Sequence, residues 1–334
     1  MQESVSKKFR KIFIEATQKA AIASYKKILD LHDSDAEPRD FKAFGRLIDG
    51  AAVEAMQEVF ETQSDFYIEI KGSEGRKDTR RDGIASPDLY GSYGPKNGIQ
   101  VEIVNDAVEG TAFASRNIPG ATSILAAVID QKNGLVPTGN FDYMSKLFGP
   151  PQLKGEISLE LSPEENIRIA LKELNIEEPL ELAVVILDRP RNSYEIESAK
   201  KMGVSLNLIP GGDLMPGLLA TLDISVLKKI KSRKIGKNIK AVLVMGSGGW
   251  EEGIIAAAGA KASGGQAQGR IYSEDKEIIE QAKIMEIEDL VPADPKSILI
   301  SATPITEDPW FGVDGYNNSR VKTIIVTWEG LQIL

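Results

Sequence analysis

The stretch V-E-I-V-N-D-A-V-E-G-T, at residues 101–111, joins a short apolar segment to a turn rich in oxygen-bearing side chains. The pattern predicts a strand over residues 101–104 that leads directly into Asp106, Glu109 and Thr111. Two carboxylates and a hydroxyl this close together form a compact set of oxygen ligands, which suits Mg²⁺ or Mn²⁺. The stretch therefore indicates a divalent-metal site beyond the end of a strand.

The composition excludes several other chemistries. The chain has 334 residues, a net charge of −9, no cysteine and a single histidine, His32. Disulfides, thiolate metal sites and cysteine nucleophiles are excluded, and one histidine removes most Ser-His-Asp and histidine-based zinc chemistry. The negative charge gives no global attraction to nucleic acid. Chemistry in this chain must rest on carboxylates, hydroxyls, backbone groups, arginine and lysine.

The sequence shows neither a secretory signal nor a membrane-spanning segment. The first residues are rich in lysine and arginine, but no uninterrupted apolar segment follows them. No apolar run approaches the roughly 18 residues that a spanning helix needs. We therefore expect a cytoplasmic protein that associates with no membrane.

Around the opening stretch, the hydrophobic pattern predicts both helices and strands. The expected elements of the first half are helices at 5–29, 45–60 and 163–174 and strands at 66–70, 101–104, 123–129 and 155–161. Asn133-Gly134 is typical of a hairpin turn, and Ser162 with Glu165 forms a capping-box pattern. Asp49, near the start of the second predicted helix, fits either a helix cap or a functional carboxylate.

From residue 182 onward strands and helices alternate more regularly, which predicts a layered α/β structure. The expected strands are at 182–188, 204–209, 241–245, 297–301 and 322–328, with helices at 193–203 and 254–262. Near residues 175–181 a helix ends and the sequence E-E-P interrupts the pattern. We therefore expect two α/β halves, at 1–178 and 179–334.

Three polar motifs follow predicted strands in the second half. Gly246-Ser-Gly-Gly249 precedes a helix and can present backbone N–H groups to a phosphate; a tight turn with close helix packing is the alternative. Arg189 and Arg191 can hold a phosphate or carboxylate, or can simply be solvated. Asp213, after two glycines, can accept hydrogen bonds from sugar hydroxyls or can start a turn.

A basic run at residues 228–240 is interpreted as the solvated face of a helix rather than a nucleic-acid site. No aromatic residue interrupts it, and the protein is acidic overall. Oxygen ligands for a metal, a possible phosphate cradle and paired arginines, without a usable set of histidines, suit metal-assisted phosphoryl chemistry.

The chain resembles the class II (GlpX-type) fructose-1,6-bisphosphatases, part of the lithium-sensitive sugar and inositol phosphatase superfamily. The motifs that carry the resemblance are D-A-V-E-G-T, I-D-G-A-A-V-E-A-M, D-R-P-R-N, I-P-G-G-D and the segment from G-S-G-G-W-E-E-G to Q-A-Q-G-R. They occur in the family's order between about residues 15 and 310. The resemblance implies a layered α-β-α-β-α sandwich, a homo-oligomer (dimer or tetramer), dependence on Mg²⁺ or Mn²⁺ and a sugar bisphosphate substrate.

The resemblance also implies roles for particular residues. The implied metal ligands are Asp49, Glu74, Asp106, Glu109 and Glu252. Thr111 matches the threonine that orients the attacking water, together with a carboxylate such as Asp49. The implied substrate-binding residues are Glu109, Gly110, Thr111, Tyr143, Arg189, Arg191, Gly211, Asp213 and Gly249. The half at 1–178 is then the metal-binding half, and the half at 179–334 carries the sugar-phosphate-binding loops.

The chain departs from the family pattern in the segment G-S-E-G-R-K-D, residues 72–78. Glu74 and Asp78 match if one extra residue is allowed upstream, Arg76 replaces a glutamate, and residues 79–86 are inserted. Gly211 replaces the first aspartate of the family's D-G-D. The sequence therefore leaves three functions open: hydrolysis of the 1-phosphate of fructose 1,6-bisphosphate, hydrolysis of sedoheptulose 1,7-bisphosphate, and non-catalytic binding of a sugar phosphate by a regulatory protein.

Overall fold

The computed structural model describes residues 3–33, 40–73, 87–129, 131–136, 142–272, 282–317 and 320–334. The helices of these ranges are α1 (Glu3–His32), α2 (Phe41–Thr62), α3 (Thr111–Ala114), α4 (Pro163–Glu173), α5 (Ser193–Met202), α6 (Leu214–Ala220), α7 (Ile224–Leu227), α8 (Trp250–Ser263) and α9 (Ile287–Leu290). Short 3₁₀ turns lie at Pro151–Leu153, Pro179–Glu181, Pro190–Asn192 and Pro295–Ser297. No helix among the described residues is long and apolar enough to span a membrane.

The strands form two mixed sheets. They are β1 (Phe66–Ser73), β2 (Ser92–Tyr93), β3 (Ile99–Glu109), β4 (Thr122–Ile129), β5 (Tyr143–Gly149), β6 (Leu182–Leu187), β7 (Ser205–Ile209), β8 (Ala241–Gly249), β9 (Gln266–Tyr272), β10 (Met285–Glu286), β11 (Ile298–Pro304), β12 (Ile324–Thr327) and β13 (Gly330–Ile333). The first sheet has the order β13-β12-β11-β4-β3-β1-β2, and the second has the order β10-β9-β5-β8-β6-β7. Each sheet contains strands from both sides of residue 178. The division of the chain into two α/β halves at that residue stays a prediction.

The hydrophobic core separates into layers that follow the alternation of side chains along the strands. On β3, Val101 and Ile103 pack with α1 and α2, whereas Val104 belongs to a cluster that includes α6, α8 and the second sheet. A third cluster joins the other face of the second sheet to α4 and α5. The order is therefore helices, sheet, helices, sheet, helices, which confirms the predicted α-β-α-β-α sandwich.

Two local predictions in the first half are wrong. Residues 155–161 form turns rather than a strand, because side-chain amides satisfy the backbone: Ser158 N–H donates to Asn166 and Leu159 N–H donates to Gln268. Asn133-Gly134 does not close a hairpin, since β4 pairs with β3 and β11 and the next strand, β5, lies in the other sheet.

The basic run at 228–240 is not a helix. Helix α7 ends at Leu227, and the residues that follow are irregular up to β8. Ile230, Ile235 and Ile239 pack against the central core, while Arg233 forms ion pairs with Glu307 and Asp314 at 2.7 and 2.8 Å. Spaced isoleucines thus anchor an irregular segment to the core, and its charged side chains lie at the surface between them.

Candidate active site

The end of β3 carries a bulge that re-aims its acidic side chains. Asp106 pairs with Ile124 and Glu109 with Thr122, so β3 advances three residues while β4 advances two. Side chains three apart on a regular strand face opposite sides, and the extra residue offsets that alternation. Asp106 is 3% exposed and Glu109 is 4% exposed. The bulge therefore places two buried carboxylates beyond the regular part of the sheet.

Gly110 makes the turn that follows. Its φ is 79°, and a Cβ there would lie 2.6 Å from the Gly120 carbonyl oxygen, so only glycine fits. Thr111 then starts α3. Its Oγ1 lies 3.1 Å from Asp49 Oδ1 and 2.9 Å from the Val108 carbonyl oxygen. The single hydroxyl proton is shared between these acceptors, which leaves the Thr111 oxygen as an acceptor for a third group.

Asp49 reaches Thr111 from the interior of α2. The cap of this helix is Asp40, whose Oδ1 accepts from the N–H groups of Lys42 and Ala43 at 3.0 Å. The alternative that Asp49 caps a helix is therefore wrong. One turn earlier, a Cβ at Gly45 would lie 2.8 Å from Thr111 Cγ2, so a glycine is what lets α2 approach Thr111.

Glu109 connects the first sheet to the start of α6. Its Oε1 accepts a hydrogen bond from Leu214 N–H at 3.3 Å. Gly212, with φ of 73°, lies beside the same carboxylate. The predicted substrate residues Gly211 and Asp213 are thereby brought to the end of β3, more than 100 residues away in sequence.

Asp213 forms a buried ion pair that the sequence did not reveal. Its Oδ2 lies 2.6 Å from Nζ of Lys146, on β5, and the two residues are 6% and 1% exposed. Asp213 stands at the N-cap position of α6, but its side chain makes no capping hydrogen bond. The carboxylate is thus held by the lysine and not by a capping hydrogen bond to the turn that begins the helix.

The glycines at 246–249 continue β8 instead of forming a loop. They pair in register with Lys146 to Tyr143 on β5, so the expected phosphate-binding loop is not present there. Neighbouring side chains explain two of them. A Cβ at Gly248 would lie 2.6 Å from Lys146 Nζ, and a Cβ at Gly249 would overlap the carboxylate of Glu252. Glu252, in the first turn of α8 and 7% exposed, therefore folds back over the strand end.

The arginines and Tyr143 lie at this end of the second sheet. Arg189 donates to the carbonyl oxygens of Asp188, at 2.8 Å, and Pro210. Arg191 donates from Nε to the Ser247 carbonyl oxygen at 3.1 Å, and its guanidinium lies 4.5 Å above the centre of the Tyr143 ring. Arg191 and Tyr143 thus adjoin Gly249, while Arg189 holds the strand end that precedes Gly211.

The segment at 228–240 also reaches this region. A cavity of about 380 Å³ opens beside Gly211 and Gly212, and Arg233 and Lys234 contribute to its wall together with Trp310. The basic run therefore borders the candidate site.

A metal has partial support among the described residues. Asp106, Glu109 and Glu252 are buried oxygen donors, whose chemistry fits a hard divalent cation. In the described ranges, however, no group of three or more histidine, cysteine or acidic side chains is gathered closely enough to hold an ion. Glu74, Asp78 and the inserted residues 79–86 lie outside those ranges. The donor set fits the metal chemically but is incomplete without them.

A further buried carboxyl, Asp308, was not singled out in the sequence. Its Oδ1 accepts a hydrogen bond from Phe311 N–H at 2.7 Å, and burial raises its pKa to about 6. The backbone carbonyl oxygen of the preceding residue, Glu307, accepts a hydrogen bond from Gly120 N–H at 2.8 Å, and Gly120 contacts the turn at Gly110. Asp308 therefore belongs to the scaffold that holds the turn.

Comparison with known proteins finds that the chain is similar to one group over most of its length. The family model described as bacterial fructose-1,6-bisphosphatase, glpX-encoded, matches residues 11–328. A protein of Synechocystis sp. (strain PCC 6803) is 31% identical over 287 residues, covering 82% of this chain and 72% of the relative. One of Crocosphaera subtropica is 32% identical over 281 residues with the same coverage. Both relatives are named D-fructose 1,6-bisphosphatase class 2/sedoheptulose 1,7-bisphosphatase.

Proposed function

Because the chain belongs to the bacterial, glpX-encoded fructose-1,6-bisphosphatase family, we propose that it hydrolyses the 1-phosphate of a sugar bisphosphate. This activity makes it a phosphoric monoester hydrolase of carbohydrate metabolism. The observation that carries the proposal is the contact between Thr111 Oγ1 and Asp49 Oδ1, beside the buried carboxylates of Asp106 and Glu109. A hydroxyl, a proton acceptor and further acidic groups from separate elements meet there, as phosphate-ester hydrolysis requires.

Fructose 1,6-bisphosphate is the substrate that we favour, and sedoheptulose 1,7-bisphosphate is the alternative. The relatives' names include both substrates. The two sugars share the same phosphorylated end, so a site that recognises that end accepts either. Discrimination between them must come from groups that contact the rest of the sugar.

The residues of the site then take distinct roles. Thr111 orients the attacking water by accepting its hydrogen bond. As the water attacks phosphorus, its proton passes to the Thr111 oxygen while the hydroxyl proton passes to Asp49. Arg191, Arg189 and Tyr143 bind the distal phosphate, since guanidinium groups are planar and permanently charged donors. Asp213 accepts hydrogen bonds from sugar hydroxyls. The remaining substrate contacts are proposed for Glu109, Gly110, Gly211 and Gly249.

Enzymes of this family depend on a metal, and we propose Mg²⁺ or Mn²⁺ for this chain. Asp49, Glu74, Asp106, Glu109 and Glu252 would hold it. When bound, such an ion lowers the pKa of a water and neutralises charge on the phosphate oxygens. Support comes from the oxygen-only chemistry of these side chains and the burial of three of them.

We also propose that the protein acts in the cytoplasm as a homodimer or homotetramer, in gluconeogenesis, without a nucleic-acid or membrane partner. The support is the family's place in sugar-phosphate metabolism together with the acidic net charge of −9. Sedimentation of the purified protein tests the oligomeric state: a monomer at micromolar concentration contradicts this part.

Phosphate release by the purified protein tests the proposed function. We expect release from fructose 1,6-bisphosphate or sedoheptulose 1,7-bisphosphate with Mg²⁺ or Mn²⁺, and its loss on chelation. A protein that binds these sugars tightly but releases no phosphate with either ion would instead be a non-catalytic sugar-phosphate-binding regulator. The incomplete group of acidic side chains in the described ranges is the observation that keeps this second candidate in the test.

A further inference from the structure

The ion pair of Lys146 and Asp213 is built from three elements that meet inside the protein. Lys146 lies on β5, Asp213 precedes α6, and Gly248 on β8 leaves the space between them. A Cβ at Gly248 would lie 2.6 Å from Nζ and 2.7 Å from Cε of Lys146. Strand β8 thus lacks a side chain at the one position where the lysine passes to reach Asp213.

A buried lysine is rarely retained for stability alone. Taking both charges out of water is unfavourable, and a well-packed apolar pair is often as stable. Asp213 is the one acidic partner that Lys146 has among the residues described here. Packing alone therefore does not explain the pair. Its position next to the candidate site indicates a functional role.

Two acidic residues, Glu109 and Asp213, lie at the start of α6 and have different partners. Leu214 N–H donates to Glu109, and the Asp213 side chain makes no capping hydrogen bond to the helix. Asp213 is instead fixed through Oδ2 by the lysine. Among the residues that the structure describes, this arrangement holds the carboxylate by one oxygen and leaves Oδ1 available to another donor.

We propose that Lys146 is a positioning residue, which fixes Asp213 by Oδ2 so that Oδ1 accepts a hydrogen bond from a hydroxyl of the substrate's sugar. This inference rests on the proposed function, because it assigns Asp213 to the sugar of the same substrate. Lys146 contacts no substrate itself. It acts on sugar recognition and therefore on the sugar's affinity, not on attack at phosphorus.

The first test compares binding and turnover in Lys146→Met, Asp213→Asn and the double variant. We expect Kd and KM for fructose 1,6-bisphosphate to rise about 10-fold or more in each single variant, while kcat changes less than about 3-fold. The double variant should bind no more weakly than the weaker single variant, because the two residues act as one unit. Affinity for inorganic phosphate, which has no sugar, should stay unchanged.

Lys71→Met is the matched control. Lys71 is also a largely buried lysine, paired with Glu69 and Glu102 at 3.0 and 3.3 Å, none of them a proposed site residue. We expect its Kd and KM to equal those of the wild type. An equal loss in Lys71→Met would overturn the inference, since the effect would then reflect the removal of any buried lysine.

Chemical rescue separates positioning from folding. The chain has no cysteine, so Lys146→Cys offers a single thiol. Alkylation in urea with 2-bromoethylamine rebuilds an ammonium of nearly the same length, whereas iodoacetamide adds a neutral amide; both products and the wild type are refolded in the same way. We expect the ammonium to restore sugar-bisphosphate affinity and the amide to leave it weak.

The outcomes separate this inference from the proposed function. Wild-type turnover with unchanged Kd and KM in folded Lys146→Met and Asp213→Asn overturns the inference alone. Wild-type binding without turnover overturns hydrolysis, while the Kd series still decides the role of Lys146. If Lys146→Met does not fold, Asp213→Asn and the two alkylated proteins give the decision. A wild type that does not bind the bisphosphate overturns both.

Discussion

Two lysine–carboxylate pairs, Lys71 with Glu102 and Lys146 with Asp213, differ in how many hydrogen bonds the carboxylate accepts. The lysine of each pair lies on a different sheet. In the first sheet, Glu102 accepts from the N–H groups of Asn133, Gly134 and Leu135 at 2.6 to 3.1 Å, in addition to Lys71. In the second, Asp213 has Lys146 at 2.6 Å and makes no capping hydrogen bond. A carboxylate surrounded by backbone donors fixes a loop, whereas one held from a single side can still bind a ligand.

The largest expected contrast lies on one strand. Glu109→Gln should lower kcat/KM by about 10³-fold, roughly 4 kcal/mol, because it removes a charge at the proposed metal and phosphate site. Glu102→Gln, seven residues earlier on β3 and equally buried, should leave kcat/KM within about 3-fold and instead lower the free energy of unfolding. Steady-state phosphate release and urea unfolding measure both. Equal activity losses would remove the distinction between the two carboxylates.

The two lysines should differ in stability as well. Lys146→Met leaves the Asp213 carboxylate buried without its cation, which costs about 3 kcal/mol or more. Lys71→Met should cost only about 1 kcal/mol, because Glu102 keeps three backbone donors and Lys71 is partly exposed. Urea unfolding gives both values. A smaller loss for Lys146→Met than for Lys71→Met would reverse the comparison.

Gly248→Ala tests the space that the second pair needs. The new Cβ meets Lys146 and Asp213, so we expect the free energy of unfolding to fall by about 1–3 kcal/mol. Gly236→Ala is the control: apart from its chain neighbours, no atom of the described residues lies within 4 Å of its Cβ. Its φ is not positive, so the change should stay within about 0.5 kcal/mol. A neutral Gly248→Ala, measured under the same conditions, would show that the pair is not confined by β8.

The smallest effect concerns Asp308, a buried carboxyl that forms no ion pair with any residue in the described ranges. Its pKa of about 6 lies above the ordinary value of 3.8, so between about pH 4 and 6 the folded state keeps a proton that the unfolded state loses. Stability should therefore fall as pH rises through that window. Asp308→Asn should remove this pH dependence and raise the free energy of unfolding at pH 7.5 by about 1 kcal/mol. Thermal unfolding from pH 4 to 8 measures it; an unchanged slope contradicts the shift.

Much of the fold follows from local sequence signals. The Ser162–Glu165 capping box begins α4 as expected, with Glu165 Oε2 accepting from Ser162 N–H at 2.9 Å. Strands with continuous apolar runs, such as β4 and β6, also lie where they were predicted. These signals depend only on residues that are close in sequence, so they can be recognised from a single sequence.

The errors arise where distant contacts decide the structure. Strand β5 was missed because Lys146 interrupts its apolar pattern, and the reason for that lysine, Asp213, lies in another element. Residues 155–161 alternate like a strand, yet amides from Asn166 and Gln268 take their backbone N–H groups. The glycines of β8 resembled a phosphate loop, although the side chains of Lys146 and Glu252 account for two of them.

For the candidate site, the sequence identified residues but not their contacts. A hydrogen bond joins Thr111 to Asp49, and another joins Glu109 to Leu214. Each connects elements that are distant in the chain. The roles of the predicted site residues stay predictions, and Glu74 lies outside the described ranges. Tertiary placement is what the sequence could not supply.

The most direct test of the central claim is the initial rate of phosphate release from fructose 1,6-bisphosphate by the wild type and Glu109→Gln, with Mg²⁺ or Mn²⁺ and after chelation. We expect metal-dependent release by the wild type that falls about 10³-fold in folded Glu109→Gln. Release that is independent of both the metal and Glu109, or no release from any sugar bisphosphate, would contradict it.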